Sequence, residues 1–304
     1  EALIDRIHSP ESTQAQVLVG GSPFNVSIAL ARLELDTGFL CPISEDSYGQ
    51  MLADSLESNG VQRCVKERVS APTAVAEVFT DPSGHPRYVF HREGSADRAL
   101  EQCPPVEALP KKIEALHFGS LVLAQESDWP AWRAAIMKAR TQGAFIAFDP
   151  NLRPALIDDL ERHRDRLEEA INLAHLIKAS DEDLSLLWPG CDPELRIQKW
   201  CSSKRVVVLT EGEKGSQLWT SNGHHVICRQ TGEGPIADTV GAGDTFQAAL
   251  IAWLFHHKAF AHALEQNQAQ ALLNFASNAA SLNCAKTGCQ PPTLNEVKHL
   301  LQAN

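Results

Sequence analysis

The order of apolar segments along the chain is the feature that most constrains its fold. Short strand-like runs alternate with longer stretches of helical periodicity through most of the sequence. Such an alternation predicts an α/β fold whose central sheet is mostly parallel and carries helices on both faces. The predicted strands cover residues 37–41, 115–118, 144–148, 175–179 and 205–209, and the predicted helices cover residues 47–59, 128–142, 162–172, 193–201 and 265–285.

Several of these strands end in small or polar residues. The turns that follow them are Gly119-Ser120, Asp149-Pro150-Asn151, Ser180-Asp181 and Thr210-Glu211-Gly212. In an open α/β sheet, ligands bind beyond the carboxyl ends of the parallel strands. We therefore expect these turns to line one cleft.

One part of the chain departs from the alternation. Residues 73–79 and 87–91 are strand-like and flank turn-forming residues at 81–86, which predicts a hairpin. Together with residues 17–19 they are expected to form a small antiparallel sheet that no helix obviously covers. A second hairpin is predicted from residues 216–220 and 226–229.

Composition limits the classes of function. The chain has 304 residues, of which 43% are hydrophobic, so it can fill the core of one large domain or two ordinary ones. Its formal charge of −11 argues against non-specific binding to nucleic acid or to an anionic membrane. No apolar run approaches the length of a membrane helix, and we expect no signal peptide. The eight cysteines form no C-x-x-C pair, which favours reduced thiols in a cytoplasmic protein.

The segment 238–246 carries the clearest chemical signal. Its sequence is Asp-Thr-Val-Gly-Ala-Gly-Asp-Thr-Phe, and an apolar helical run follows. N–H groups at a helix start are unpaired, the helix dipole favours negative charge there, and small residues let an anion approach. Asp244 stands at the edge of this anion hole. A phosphoryl group held beside a base that accepts a proton from an alcohol is the core of a kinase site. Alternatively, Asp244 only caps the helix and the glycines only allow close packing.

A second segment, residues 20–25, has the sequence Gly-Gly-Ser-Pro-Phe-Asn and precedes another predicted helix. Ser22 is a candidate N-cap, and Pro23 is tolerated at the first helical position. The amide of Asn25 can both donate to and accept from a hydroxyl group, and the paired glycines would let a polyol lie against the backbone. A plain turn into a helix explains the other residues but not the asparagine.

The two segments together resemble the signatures of the PfkB (ribokinase-like) family of carbohydrate kinases. The first signature corresponds to residues 20–33 and the second to residues 238–254, in the expected order and far apart. Residues 88–100, 148–156 and 178–187 look most like the fructokinases of that family. The resemblance implies one kinase domain over residues 1–304, with lid strands at about 5–20 and 72–98. An apolar strand that the family carries ahead of Glu1 is absent from the sequence.

The resemblance also implies the chemistry, an ATP-dependent transfer of a phosphoryl group to a sugar hydroxyl. Asp244 would be the general base, and the N–H groups of Gly241, Ala242 and Gly243 would surround the developing charge. The residues implied for the sugar are Asp5, Gly21, Asn25, Arg153 and, from the lid, Arg92. From the residues alone, Asp5 could be an ordinary turn residue, and Arg153 could instead pair with Asp149 or Asp158.

At the nucleotide end, the resemblance maps the family's N-x-x-E element onto Ser180 and Asp183. This is a departure, with a hydroxyl in place of the amide and a shorter acid. Asp183 would act on a hydrated Mg²⁺ through water. The residues implied for ATP are Ser180, Thr210, Gly212, Gly215 and Asn278, although Asn278 could be an ordinary exposed helix residue. Asp238 would belong to a loop that binds a monovalent cation such as K⁺ in some members.

By resemblance, the small sheet is a lid over the sugar and the surface of a homodimer, whereas the residues alone are equally consistent with a surface hairpin. D-fructose is the expected substrate, and 2-keto-3-deoxygluconate is the alternative, since Arg92 and Arg153 could clamp an acid sugar. A non-catalytic sugar or nucleotide sensor would be expected to have a damaged anion hole, and this chain does not. The chain has no G-x-x-x-x-G-K-[ST] and no G-x-G-x-x-G after its first strand, which excludes a P-loop NTPase and a dinucleotide-binding dehydrogenase.

Overall fold

The computed structural model describes residues 1–8, 14–80, 86–201, 205–229, 236–260 and 263–303. Residues 81–85 of the predicted hairpin turn lie outside this part of the chain. The strands are β1 (Leu3–His8), β2 (Gln16–Gly20), β3 (Gly38–Phe39), β4 (Ile43–Ser44), β5 (Gln62–Arg63), β6 (Arg68–Val69), β7 (Ala74–Thr80), β8 (Pro86–His91), β9 (Ala115–Gly119), β10 (Phe145–Asp149), β11 (Leu176–Ser180), β12 (Val206–Thr210), β13 (Ser216–Trp219) and β14 (His225–Cys228). The α-helices are α1 (Ser22–Arg32), α2 (Ser47–Ser58), α3 (Pro105–Ala108), α4 (Trp129–Thr141), α5 (Leu160–Leu173), α6 (Asp181–Leu187), α7 (Pro193–Gln198), α8 (Ala242–His256), α9 (Gln266–Cys284) and α10 (Leu294–Ala303).

The central sheet has six strands in the order β14-β13-β12-β11-β10-β9. Strands β9 to β12 run parallel to one another, and β13 and β14 continue the sheet as an antiparallel hairpin. The parallel strands read as nearly continuous apolar runs because both of their faces are covered. The predicted α/β fold with a mostly parallel sheet is confirmed, and so is the second hairpin.

Helices pack on both faces of this sheet. On one face, α4, α5, α6 and α7 cover Phe148, Ile177 and Leu209. On the other face, α1, α8 and α9 cover Leu176 and Val208. Successive strand residues point to opposite faces, so each strand contributes to both cores. Helix α8 is buried along most of its length and forms the centre of the second layer.

The first predicted strand, residues 37–41, is not part of the central sheet. Within the described residues, only Gly38–Phe39 is a strand there, and it pairs with β5. A groove of about 810 Å³ separates β3 from β9, the edge strand of the sheet. The two strands belong to different sheets.

The lid sheet has four strands in the order β2-β1-β7-β8. The prediction of an antiparallel sheet is wrong in one respect, because β1 and β7 run parallel. Between β1 and β7 the chain passes through α1 and α2 and returns to the same end of the sheet, as a parallel pair requires. The pairs β1–β2 and β7–β8 are antiparallel. Leu3 and Ala76 pack with Leu121 and Ala124, which follow the carboxyl end of β9. The lid is thus anchored beside the predicted cleft.

All eight cysteines carry free thiols. Across the part of the chain that the structure describes, no helix combines the length and the apolar character needed to cross a membrane.

Candidate active site

The two signatures of the sequence meet at the start of α8. Helices α1 and α8 pack against each other, and this brings their first turns together. Asp244 lies in the first turn of α8 and is 7% exposed. Its Oδ1 accepts a hydrogen bond from Ser22 Oγ at 2.7 Å, and its Oδ2 accepts one from Asn25 Nδ2 at 2.8 Å. The alternative that Asp244 only caps α8 is wrong, because the N-cap is Gly241 and the carboxylate is bound to α1.

Ser22 has a different role from the predicted N-cap. Helix α1 begins at Ser22 itself, Gly21 is the N-cap residue, and Pro23 is the second helical residue. Gly21 has φ 109° and packs against Glu1, so a side chain at this position would be strained. The Ser22 hydroxyl is left free to bind the Asp244 carboxylate.

The segment predicted to form an anion hole is a tight turn before α8. Gly241 has φ 74°, and Cys289 occupies the space that a side chain at this position would need. The N–H of Ala242 differs from the prediction, since it donates to the Thr239 carbonyl at 3.1 Å and closes a tight turn. Among the described residues, the N–H groups of Gly241 and Gly243 have no hydrogen-bond partner. These two amides are the donors that the turn offers to an anion.

The pKa of Asp244 is raised above that of an ordinary carboxyl group. Burial raises it, while the hydrogen bonds from Ser22 and Asn25 and the charges of Arg153 and Lys178 lower it. A base with a raised pKa accepts a proton more readily, provided that it is ionised at the working pH. Asp244 is therefore a buried carboxylate of raised pKa at the start of α8.

The turn after β10 faces the same carboxylate. Asn151 has φ 36°, and its Nδ2 lies 3.4 Å from Asp244 Oδ1. Arg153 Nη1 donates to Asn151 Oδ1 at 2.7 Å, so the arginine holds the asparagine in place. Asp149, an alternative partner considered for Arg153, is bound to Lys178 instead. The predicted placement of Arg153 at the cleft agrees with the structure.

Two residues of the lid also reach this region. Asp5 on β1 lies against the backbone of Gly20. Burial raises the pKa of Asp5 to about 6, with Arg153 acting to lower it and Asp244 acting to raise it. On β8, burial and the charge of Asp5 raise the pKa of Tyr88. The strand register places both side chains on the face of the lid sheet that also carries Leu3 and Ala76, beside the predicted cleft. No motif of the sequence assigns Tyr88 a role.

The prediction that Arg92 reaches the sugar needs correction. Arg92 follows β8 and is 4% exposed. Its Nε donates to Asp97 Oδ2 at 2.7 Å, and its Nη1 lies 3.5 Å from Asp128 Oδ2. A buried guanidinium is tolerated only when carboxylates pair with it, and these two acids do so. Arg92 thus joins the lid to the start of α4, and it does not form a cationic clamp with Arg153.

At the predicted nucleotide end, Ser180 and Asp183 form a capping box at the start of α6. Ser180 Oγ accepts a hydrogen bond from the N–H of Asp183 at 3.0 Å, and Asp183 Oδ2 accepts one from the N–H of Ser180 at 3.3 Å. Asp183 Oδ1 accepts a further hydrogen bond from the N–H of Leu152 at 2.8 Å. Asp183 therefore joins α6 to the turn after β10.

The other predicted nucleotide residues surround the end of β12. Thr210 is its last residue, and Gly212 and Gly215 follow with φ 55° and 105°. No atom lies within 4 Å of the Cβ position of Gly212, so the backbone of this turn is open. Asn278 lies on α9, where its Nδ2 donates to the carbonyl of Asn274 at 2.8 Å. Helix α9 packs against β13 and β14, which places Asn278 on the helix beside this turn.

Asp238 holds together the loop before the anion hole. Its Oδ1 accepts a hydrogen bond from the N–H of Val240 at 3.0 Å, and its Oδ2 accepts one from the N–H of Gly288 at 2.8 Å. Because both oxygens have backbone donors, the carboxylate has a structural role in this loop. The implied K⁺ site is not supported by Asp238 as a direct ligand.

The chain matches a family model along nearly its whole length. Residues 2–296 match the model described as pfkB family carbohydrate kinase. The chain belongs to this family. Its curated relatives include probable fructokinase-4 of Arabidopsis thaliana, 30% identical over 94% of this chain and 88% of that protein. Fructokinase-2 of Solanum lycopersicum is also 30% identical, over 93% of this chain and 87% of that protein.

Solved structures of pfkB kinases share the fold. The fructokinase of Vibrio cholerae O395, in its form with fructose, ADP and calcium ion bound, superimposes with a TM-score of 0.83 at 24% identity, covering 99% of this chain and 96% of that one. The fructokinase of Xylella fastidiosa with bound ATP gives a TM-score of 0.83 at 24% identity, covering 100% of this chain and 96% of that one. At this level of identity the likeness shows the ribokinase-like fold.

The family implies ATP and a divalent cation, and the residues present are compatible with both. The free amides of Gly241 and Gly243 and the open turn at Gly212 suit phosphate groups. Among the described residues, no cluster of three or more His, Cys, Asp or Glu side chains is arranged to hold a metal ion. Asp183 is a hard oxygen donor whose role would be limited to a contact through water, as Mg²⁺ favours.

The structure brings to the site of this pfkB kinase several residues to which the sequence motifs assign no individual role. Asn151 stands in the segment Asp-Pro-Asn-Leu-Arg after a predicted strand, and this position was a signal for the cleft. Lys178 is a charged residue inside an apolar strand run, which was also a detectable signal. Tyr88 and the hydroxyl of Ser22 offered no such signal, because their partners lie far away in the sequence.

Proposed function

We propose that this protein is an ATP-dependent fructokinase, which transfers the γ-phosphoryl group of ATP to a hydroxyl of D-fructose. The observation that carries the proposal is the contact between the two signatures. Asp244, beside the anion hole, is bound by Ser22 and Asn25 at distances of 2.7 and 2.8 Å. The names of the curated relatives support a ketohexose as the acceptor.

In this mechanism, Asp244 accepts the proton of the sugar hydroxyl as its oxygen attacks the γ-phosphorus. The bond from the γ-phosphorus to the bridging oxygen breaks, and ADP leaves with the electron pair. The amides of Gly241 and Gly243 stabilise the charge on the transferred group, and each such donor is typically worth about 10²–10³ in rate. Asp244 then releases its proton to solvent.

Substrate recognition follows from the charges of the cleft. Asp5, Asn25 and Asn151 offer acceptors and donors for the hydroxyls of a sugar. Arg92, one half of the clamp that an acid sugar would need, is buried against Asp97. The cations that act on the carboxylates of Asp5 and Asp244 are Arg153 and the buried Lys178, and Lys178 is already paired with Asp149. This balance favours neutral D-fructose over 2-keto-3-deoxygluconate.

Nucleotide binding would use Ser180, Thr210, Gly212, Gly215 and Asn278 around the ends of β11 and β12. Mg²⁺, carried by the phosphates and reached by Asp183 through water, would neutralise charge on the phosphate groups. No step is assigned to K⁺. The free thiols of all eight cysteines support a reducing location such as the cytoplasm.

We also propose a homodimer formed through the lid. Phe79 and Val89 are 40% and 39% exposed. The strand register, in which Glu77 faces Val89, places both on the same face of the β7–β8 pair. Sedimentation of the wild-type protein and of Phe79→Asp tests this proposal, with a dimer expected for the first and a monomer for the second. Two identical sedimentation coefficients would contradict it.

A coupled assay of ADP release tests the substrate assignment. With ATP and Mg²⁺, we expect kcat/KM for D-fructose to exceed that for 2-keto-3-deoxygluconate by at least about 100-fold, the effect of an unpaired charge in the cleft. A preference for the acid sugar would establish the alternative kinase. No ADP release above background with any sugar would support the non-catalytic sensor.

A further inference from the structure

We propose that Lys178 is a positioning residue of the kinase, whose buried ammonium group, held by Asp149 behind the anion hole, keeps the Asp244 carboxylate ionised. The inference rests on the proposed function, which makes Asp244 the base. Neither signature of the family contains Lys178, and the sequence analysis assigned it no role. It lies within the central sheet rather than in any of the turns that line the cleft.

The position of Lys178 is set by the sheet. It is the third residue of β11 and is 4% exposed. Its Nζ lies 2.9 Å from Oδ2 of Asp149, the last residue of the neighbouring strand β10. The ammonium group therefore reaches the carboxyl ends of the strands, where the turns of the cleft begin.

Gly243 brings Lys178 into contact with the anion hole. A Cβ atom at Gly243 would lie 3.1 Å from Lys178 Nζ, which is tighter than ordinary packing allows. The absence of a side chain at Gly243 thus lets the ammonium group sit directly behind the first turn of α8. Asp244 is the next residue of that turn.

The charges around Lys178 are unbalanced. Burial lowers the pKa of Lys178, but the carboxylates of Asp149, Asp183 and Asp244 more than offset this and raise it above its ordinary value. Lys178 is therefore protonated at neutral pH. One buried cation among three carboxylates lowers the free energy of their ionised forms, as opposite charges at short range do.

Asp149 alone does not account for this arrangement. Asp149 Oδ1 is buried and has no hydrogen-bond partner among the described residues. A buried ion pair is a weak source of stability, because two apolar side chains of similar volume often serve as well. Stabilisation of the ionised Asp244 carboxylate explains why the buried position 178 holds a charged lysine.

Several groups besides Lys178 act on the titration of Asp244 or respond to it. Ser22 and Asn25 bind the carboxylate directly. The charged and titratable groups that face it are Asp5 from β1, Asp149 from β10, Arg153 from the following turn, Lys178 from β11 and Cys289 from the loop after α9. A test must therefore change Lys178 while these groups stay in place.

The test is a ¹³C NMR titration of the Asp244 carboxyl group, assigned with Asp244→Asn, in the full-length protein without ligands. In Lys178→Met, we expect the pKa of Asp244 to rise by about one unit or more, because an opposite charge has been removed. Lys112→Met, at an exposed lysine that pairs with Glu114, is the matched control and should leave the titration unchanged. An unchanged or lower pKa in Lys178→Met would overturn the proposal.

A second pair of variants covers the case in which Lys178→Met does not fold. Asp149→Asn keeps the cation, and Asp149→Asn/Lys178→Met removes it without leaving an unpaired buried acid. We expect the pKa of Asp244 to be at least about one unit higher in the double variant than in the single one. Equal values would contradict the proposal.

Steady-state kinetics with D-fructose then separates this role from a structural one. In folded Lys178→Met, the acidic limb of kcat should move to higher pH, and the lost rate should return as the pH is raised. A purely structural role predicts the same fractional loss of kcat at every pH, and that result would overturn the inference. Failure of the wild-type protein to phosphorylate D-fructose would refute the proposed function, while the NMR titration would still decide the role of Lys178.

Discussion

The two ends of the cleft are built from different parts of the polypeptide. At the sugar end, the side chains of Ser22 and Asn25 from α1 and of Asn151 from the turn after β10 converge on one carboxylate, Asp244. At the nucleotide end, the main feature is the open backbone turn at Gly212, while the side chains of Ser180 and Asp183 are already bound to backbone N–H groups in a capping box. Under the proposed function, side-chain chemistry selects the acceptor, whereas backbone geometry receives the phosphates.

This difference has a physical basis. A sugar presents hydroxyls in fixed directions, and buried side-chain donors and acceptors discriminate among such groups strongly. A phosphate chain presents diffuse negative charge, and backbone N–H groups at a helix start recognise it without any particular side chain. Substitutions at the two ends should therefore differ in size and in the kinetic constant that they change.

Apart from loss of the base itself, the largest effect is expected at the anion hole, where the two ends meet. Gly241→Ala would place a methyl group against Cys289 at a residue with φ 74°. Displacing the amide donors should lower kcat by about 10²–10³, as measured in the coupled assay. Gly60→Ala is the control, since Gly60 also has φ 74° but has no atom within 4 Å of its Cβ position. It should cost about 1–2 kcal/mol of folding free energy and leave kcat unchanged. Equal losses of kcat in both variants would mean that backbone strain, and not displacement of the amide donors, causes the effect.

A smaller effect, confined to the sugar, is expected from Asp5→Asn. The KM for fructose at pH 8 should rise about 10–100-fold, because the sugar loses hydrogen bonds to an ionised carboxylate. The KM for ATP should stay constant. In the wild-type protein, fructose affinity should fall as the pH drops through about 6, where Asp5 takes up its proton. Asp54→Asn, at an exposed carboxylate on α2, is the control. A parallel rise in both KM values would erase the distinction between the two ends.

The same pKa makes a prediction about stability. The pKa of Asp5 is about 6 in the folded protein, against an ordinary value of 3.8. Between these values the folded protein holds a proton that the unfolded chain releases, so this group's contribution to stability falls as the pH rises through that window. Asp5→Asn should therefore raise Tm more at pH 8 than at pH 4. Calorimetry of both proteins at the two pH values checks this sign. A smaller gain in Tm from Asp5→Asn at pH 8 than at pH 4 would contradict it.

The next effect in size, below that of Asp5→Asn, is expected from Ser22→Ala. Losing a hydrogen bond to the carboxylate should raise the pKa of Asp244 and lower kcat about tenfold at pH 6, with a smaller loss at pH 8. Ser27→Ala removes a buried hydroxyl of the same helix whose hydrogen bond goes to the Phe24 carbonyl. This control should keep the wild-type pH profile. A pH-independent loss in Ser22→Ala would mean that the hydroxyl does not tune the base.

The smallest effect is expected from Asn278→Ala at the nucleotide end. Its amide already donates to the Asn274 carbonyl, so the KM for ATP should change by no more than about threefold. Asn267→Ala, at an exposed asparagine on the same helix, is the control. A change beyond tenfold would show that a side chain recognises the nucleotide after all.

Much of the fold was predictable because its signals are local. The parallel strands are apolar runs with polar residues at their ends, and the structure confirms their order. Residues 37–41 have the same local pattern, but the strand within them pairs with β5, a segment distant in the sequence, and so lies outside the central sheet. The parallel pairing of β1 and β7 was missed because strand direction is decided by the path between the strands.

The site divides in the same way. Asp244, Gly241 and Asn25 were found because each lies in a segment whose residue types are unusual for their place. Arg92 was assigned wrongly, since its position on the lid does not reveal that Asp97 and Asp128 bind it. Lys178 was missed because strand periodicity tells which face a side chain takes and not which neighbour it meets.

The central claim is that Asp244 removes the proton of the sugar hydroxyl, and Asp244→Asn tests it most directly. The measurement combines turnover in the coupled assay with calorimetric binding of D-fructose to the same variant. We predict a fall in kcat of about 10²–10⁴, the usual contribution of a general base, with fructose affinity close to that of the wild-type protein. A variant that keeps half of the wild-type kcat would contradict the account.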